Sequence, residues 1–158
     1  MTRATRIIVI GKANLMRDGL WAQLDVQPGL EVVAVLDSDA EQIQNAPFGP
    51  PPDLALCYVT LLTPWEIGGI VAIGRRWPGV RILALTCRFD DRFYEVATEL
   101  AIGGYLLESD SHGELLTAIH IVSRGEHYFS ASTSRQPRDT PNTLTEREKQ
   151  AMRLIATG

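Results

Sequence analysis

Five short, almost uninterrupted apolar runs punctuate the chain: RIIVIG at 6–11, EVVAVL at 31–36, DLALCYV at 53–59, VRILALT at 80–86 and GYLL at 104–107. Strands that expose one face to water alternate apolar and polar residues, whereas these runs are apolar on both alternating sets. They suit strands covered above and below by other elements. Between them lie stretches with helical spacing, near 14–26, 39–46, 64–76, 91–102 and 111–124. Strand and helix alternating five times predict an α/β fold, a (βα)5 doubly wound parallel sheet with helices on both faces.

Local chemistry marks the boundaries. Asn14 offers an N-cap oxygen to a helix in which Leu15, Leu20 and Leu24 recur, and QPG at 27–29 stops it. RWPGV at 76–80 ends the third helix in the same way. Asp110 and Ser111 offer cap oxygens to the fifth, where Leu115, Ile119 and Val122 share a stripe. The second helix runs into the Pro-rich EQIQNAPFGPPP and is expected to be short.

The chain has 158 residues, 45% of them hydrophobic, enough for one domain with a proper core and some extra. Its formal net charge of −4 argues against a general binder of phosphate backbone or membrane surface. The charge is uneven: 1–129 carry 10 basic and 16 acidic side chains, and 130–158 carry 5 and 3. From Ser130 the texture changes as well. SASTSRQPRDTPN has no periodic apolar face and reads as a flexible linker over 130–143. In LTEREKQAMRLIATG, Thr145 and Glu148 have capping-box spacing, so 144–158 reads as the first helix of a second, incomplete unit.

No stretch approaches the ~18 uninterrupted apolar residues of a membrane span, and no secretion signal leads the chain, which points to a cytoplasmic protein with no membrane partner. Cys57 and Cys87 lack metal-site spacing and read as buried free thiols; alternation turns both away from the residues discussed below. His112, His120 and His127 form no ligand constellation and read as surface residues.

In an open parallel sheet the chemistry gathers at the C-terminal strand ends. Those ends are Gly11-Lys12, Asp37, Tyr58, Thr86 and Glu108. Together with NLMRDGL, PGLEVVAV, PDLAL, PGVRILALT, GGYLLESDSHGELLTAI and LTERE, in this order and spacing, they make the chain resemble a two-component response regulator of the LuxR/NarL/FixJ type. The resemblance implies a receiver, flavodoxin-like domain with strand order 2-1-3-4-5 over 1–129. It also implies a linker, and over 144–158 the start of a helix-turn-helix DNA-binding domain.

A working receiver of this family holds Mg²⁺ with an acidic pair after the first strand and an Asp after the third, which also accepts the phosphoryl group. A Ser/Thr after the fourth strand and a Lys after the fifth bind the phosphoryl oxygens. Motif by motif, Gly11 and Lys12 fall at the acidic pair, Tyr58 at the phosphoacceptor, Thr86 at the hydroxyl and Glu108 at the lysine. Only Thr86 matches in type, with Tyr105 at the aromatic that turns inward when the hydroxyl closes. The expectation is a degenerate pocket, an atypical or pseudo-receiver without Asp phosphorylation, metal or cofactor.

Two readings stand for each replacement. Lys12 and Glu108 either pair with reversed polarity or point separately into solvent, where a pair contributes about 0–1 kcal/mol. Tyr58 either caps the pocket near Thr86 or contacts a ligand, or it fills the volume of the dismantled site with its hydroxyl in water; filling is favoured.

The function expected is regulatory: the receiver-like part of a transcription regulator, acting as a homodimer through its first and fifth helices, or through its fourth helix, fifth strand and fifth helix. DNA would be bound by the complete C-terminal domain of the parent protein and not by this fragment, with a small molecule or protein as effector. A second reading is a stand-alone partner-binding signalling module. An enzyme is disfavoured, since the sequence offers no phosphate-cradling Gly loop, no nucleophile with an adjacent base and no metal cluster.

Overall fold

The computed structural model describes residues 3–46, 49–60, 63–88, 90–130 and 154–155. The expected linker beyond Ser130, and Thr145, Glu148 and Met152 of the expected final helix, lie outside the described residues. The strands are β1 (Thr5–Ile10), β2 (Leu30–Leu36), β3 (Leu54–Val59), β4 (Arg81–Thr86), β5 (Gly104–Leu107) and β6 (Tyr128–Phe129). The helices are α1 (Leu15–Asp25), α2 (Ala40–Gln44), α3 (Pro64–Arg76), α4 (Asp91–Glu99) and α5 (His112–Ser123). All strand pairs are parallel, in the order β2-β1-β3-β4-β5-β6. The doubly wound sheet read from the sequence is therefore the fold, with the strand order the resemblance implied and one strand more.

Period-two alternation splits the core into two layers. Ala55, Cys57 and Val59 of β3 pack on Ile70 and Ile73 of α3 and on Phe93 and Ala97 of α4. Leu54, Leu56 and Tyr58 face the other way, onto Leu20 and Leu24 of α1 and Leu115, Ala118, Ile119 and Val122 of α5. All six residues of β3 are buried, as its continuous apolar run requires. Each large aliphatic side chain removed from water in this way contributes about 1.5–3 kcal/mol.

Each of α1 to α5 starts on a side-chain cap. Asn14, Asp39, Thr63, Asp90 and Ser111 accept from N–H groups of the first turns of α1 to α5. The two PG turns work through backbone freedom: Gly29 and Gly79 have φ of +84° and +93°, which only glycine adopts without steric cost. Helix α4 stops at Glu99, short of the expected 102, because Ala101 turns into the left-handed region at φ +55° and Ile102 donates back to the Ala97 carbonyl.

Strand β6 was not expected. Tyr128 N–H donates to the Gly103 carbonyl and Ser130 N–H to the Tyr105 carbonyl, occupying the open edge of β5. At two residues it is too short to leave a period-two signature. The Tyr128 hydroxyl donates to Glu114 Oε1 of α5 at 2.8 Å and ties the strand down.

Candidate functional site at the strand ends

The C-terminal ends of β1, β3, β4 and β5 bring Gly11, Tyr58, Thr86 and Glu108 to one edge of the sheet. The turn after β5 is tightly closed. Asp110 N–H donates to the Leu107 carbonyl, and the Asp110 carboxylate accepts from Leu107 N–H at 2.9 Å. Glu108 N–H meanwhile extends the ladder to the Thr86 carbonyl. This sets Glu108, itself exposed, where Tyr58 can reach it.

The Tyr58 hydroxyl donates to Glu108 Oε2 at 2.8 Å, while the ring is only 7% exposed. Burial, then the bond to Glu108 and its negative charge, push this phenol well above the ordinary tyrosine range. Tyr58 thus fills the volume as expected, but its hydroxyl is taken by a carboxylate rather than by water. The reversed Lys12–Glu108 pair is not formed: among the described residues no ion pair within 4 Å joins Lys12 to Glu108. The Tyr58 hydroxyl takes Glu108 Oε2 from the α1–α5 side of the sheet, and the charge of Lys12 acts to lower the Glu66 carboxyl at the start of α3.

Thr86 does not meet Tyr58. Its hydroxyl donates to the Arg88 carbonyl at 3.1 Å and lies 3.3 Å from the Tyr105 hydroxyl. Asp90 N–H reaches the same Tyr105 oxygen at 3.4 Å. Tyr105 is fully buried, turned inward, and stacked on Phe93 with ring centroids 4.4 Å apart. Burial raises its phenol, and the bonds to Thr86 and Asp90 N–H pull it partly back. Two tyrosines therefore serve the site from opposite faces of the sheet, Tyr58 in one core layer and Tyr105 in the other.

Gly11 is packed against the next strand but one in sequence. A Cβ at this position would lie 3.1 Å from the Tyr58 carbonyl oxygen and 3.2 Å from Tyr58 Cβ, so any side chain there must push β3 aside. Lys12 is exposed. At the positions where the resemblance implies three metal-binding carboxylates stand a glycine, a lysine and a tyrosine, a donor set that does not fit a hard divalent cation. Among the described residues no group of three or more His, Cys, Asp or Glu side chains is arranged to hold a metal ion.

The sequence reading missed one polar feature. Glu66, in the first turn of α3, is 5% exposed, and Ser38, whose side chain acts to lower its carboxyl, is 3% exposed. Burial raises the Glu66 carboxyl, while Ser38 and Lys12 act to lower it. Helix α3 comes this close because Gly69 leaves no room for a Cβ against the Ser38 carbonyl. The available signal was TPWE at 63–66, a capping-box pattern, which says where the helix starts but not that its acid is buried. Behind Glu66, the Cys57 thiol is pushed up to about 12 by burial and by the Glu66 charge. Both Cys57 and Cys87 are free, and His112, His120 and His127 are exposed.

Among the described residues no helix is long and apolar enough to cross a membrane. No protein-family model matches the chain. The chain is 28% identical over 134 residues to the response regulator GacA of Pseudomonas viridiflava, covering 83% of this chain and 61% of GacA. It is 26% identical to the response regulator VraR of Staphylococcus aureus, covering 97% of this chain and 76% of VraR. Among solved structures, a LuxR-family two-component response regulator from Aurantimonas sp. superposes with a TM-score of 0.72 at 26% identity, covering 84% of this chain and 94% of that one. The fold is that of a receiver domain, and the relatives that match most of its length are response regulators.

Proposed function

We propose that this chain is the regulatory receiver-like domain of a DNA-binding transcription regulator, and that it works without aspartyl phosphate and without Mg²⁺. The observation that carries this reading is the bond from Tyr58 to Glu108 Oε2: a phenol and a carboxylate, joined at 2.8 Å, stand at the positions of phosphoacceptor and lysine. A phenol at the phosphoacceptor position forms no acyl phosphate, and Gly11 and Lys12 supply no carboxylate to hold the cation that would activate a phosphoryl transfer. The inward, buried Tyr105 beside Thr86 is the arrangement that the resemblance associates with a closed hydroxyl. Incubation with Mg²⁺ and a small phosphodonor is expected to leave the mass unchanged. A phosphate adduct labile in base would overturn the reading. Tyr58→Asp alone is expected to remain unmodified, since positions 11 and 12 still deny the metal its ligands.

Homodimerisation through α1 and α5 fits the surface better than the alternative through α4, β5 and α5. Strand β6 already occupies the β5 edge. On α1 and its C-cap, the exposed residues Leu15, Gly19, Ala22 and Val26 recur at i, i+4, i+7 and i+11, the spacing of a helix seam. Ala22→Asp is expected to lower the dimer fraction in sedimentation, and an unchanged fraction would move the interface elsewhere.

A further inference from the structure

A cleft opens beside the rebuilt strand ends, on the side of the sheet that Tyr58 faces. Its volume is about 180 Å³, and it is open to solvent at its mouth. Its floor is aliphatic: Met16 and Leu20 from α1, Leu85 and Leu106 from the sheet, and Leu115 from α5. Its rim carries two carboxylates, Glu108 and Asp110, and among the described residues no lysine or arginine lines it. Among those residues His112, exposed at the first position of α5, is the one titratable group of basic type on the rim.

The two carboxylates are fixed in place. Tyr58 OH holds Glu108 through Oε2, and Leu107 N–H holds Asp110 through Oδ2. The N-terminus of α5 reaches the same rim, where Ser111 Oγ accepts from Glu114 N–H, and its partial positive charge is smaller than the two full carboxylate charges beside it. An apolar floor beneath preorganised negative charge selects for a molecule with an apolar body and a cationic head. It disfavours phosphate and carboxylate compounds, which would meet Glu108 and Asp110 directly.

We propose that this cleft binds a small amphipathic cation, an amine or amidine on an aliphatic or aromatic body, with the head at Glu108 and Asp110 and the body over Leu20, Leu106 and Leu115. The proposal rests on the reading that the domain senses something other than a phosphoryl group, and it supplies that signal with a route. A cation at Glu108 shares the carboxylate that the Tyr58 hydroxyl bonds through Oε2, so occupancy of the cleft is felt at the end of the central strand.

The test uses the full chain, phenethylammonium as probe and 2-phenylethanol as its neutral analogue, followed through the methyl signals of Met16, Leu20, Leu106 and Leu115. The expected result is saturable shifts confined to those methyls, with the amine bound about tenfold more tightly than the alcohol. Glu108→Gln, which keeps an acceptor for Tyr58, is expected to bring that ratio close to one while leaving the alcohol unaffected. No saturable shift with either probe, shifts centred elsewhere, or equal affinity for amine and alcohol would overturn the proposal. So would probe-induced shifts that vanish as the dimer forms, since a second copy would then occupy the groove. These outcomes are separable from the phosphodonor test: a base-labile adduct would remove the phosphate-independent reading and leave cation binding as measured.

Discussion

On the β4–β5 side of the strand ends, Thr86, Tyr105 and the Asp90 N–H form a chain of uncharged hydrogen bonds, sealed by Phe93. On the β1–β3 side stand Gly11, Lys12 and Tyr58, and the Tyr58 hydroxyl there bonds out to the carboxylate of Glu108. The first half matches in type what the resemblance implies, and the second departs from it at every position. The division follows charge. A hydroxyl pair is stable in a buried site with or without a bound ion, because its donors and acceptors satisfy each other. Carboxylates clustered within a few ångströms need a cation between them, or their mutual repulsion raises their pKa values and destabilises the fold. A neutral phenol in their place meets Glu108 without that repulsion.

If this division is right, the uncharged half is also the one that stabilises the domain, and breaking it has the largest effect. Tyr105→Ala removes a fully buried ring together with its stacking on Phe93 and is expected to cost about 3–5 kcal/mol in denaturant unfolding. Tyr105→Phe keeps the ring and loses only the hydroxyl contacts, at about 1 kcal/mol. Similar losses for the two variants would mean that the hydroxyl network rather than the ring secures this half.

Most of the fold was legible because buried parallel strands and caps are local signals. The run at 53–59 reads as a strand from its own residues, and Asn14 and Ser111 read as caps from theirs. Strand β6 was hidden because its two residues pair with an edge that only the folded sheet creates. At the site, the composition of the pocket could be read by position, but its pairing could not. Which of Lys12 and Tyr58 reaches Glu108 depends on the face of the sheet from which each approaches, and Glu66 is buried only because Gly69 lets α3 close on Ser38.

Tyr58→Phe probes the other half with a smaller expected effect. Glu108 is exposed and regains water when the phenol is lost, so the cost is about 1 kcal/mol at neutral pH. The pH dependence fixes its origin. The folded-state pKa of Tyr58 is raised above the unfolded value of about 10, so the stabilisation is fully present below that pH and is lost as the pH rises further. The gap in stability between wild type and Tyr58→Phe should therefore narrow above about pH 10, with Tyr105 and Tyr128 contributing equally to both proteins. A gap that stays constant across that range would mean that packing, not the bond to Glu108, distinguishes the two.

Lys12→Ala should have the smallest effect, and its value lies in where the effect falls. A Lys12–Glu108 pair would make this substitution weaken the hold on Glu108 and disturb the Tyr58 phenol beside it. In the structure the ammonium acts on Glu66 instead, across the sheet from Tyr58, and its influence there is to lower a carboxyl that burial has raised. The expected outcome is a change of less than about 0.5 kcal/mol in stability at neutral pH, an unaltered Tyr58 titration, and a Glu66 carboxyl raised further. Because a raised carboxyl stabilises the fold only while protonated, that stability is present at acid pH and is lost as the pH climbs through the folded-state value. Removing Lys12 should move this loss to higher pH, which a carboxyl-carbon NMR titration of Glu66 in the two proteins reads directly. A shift seen at Tyr58 and not at Glu66 would put the lysine on the other face and restore the reversed ion pair that the geometry now argues against.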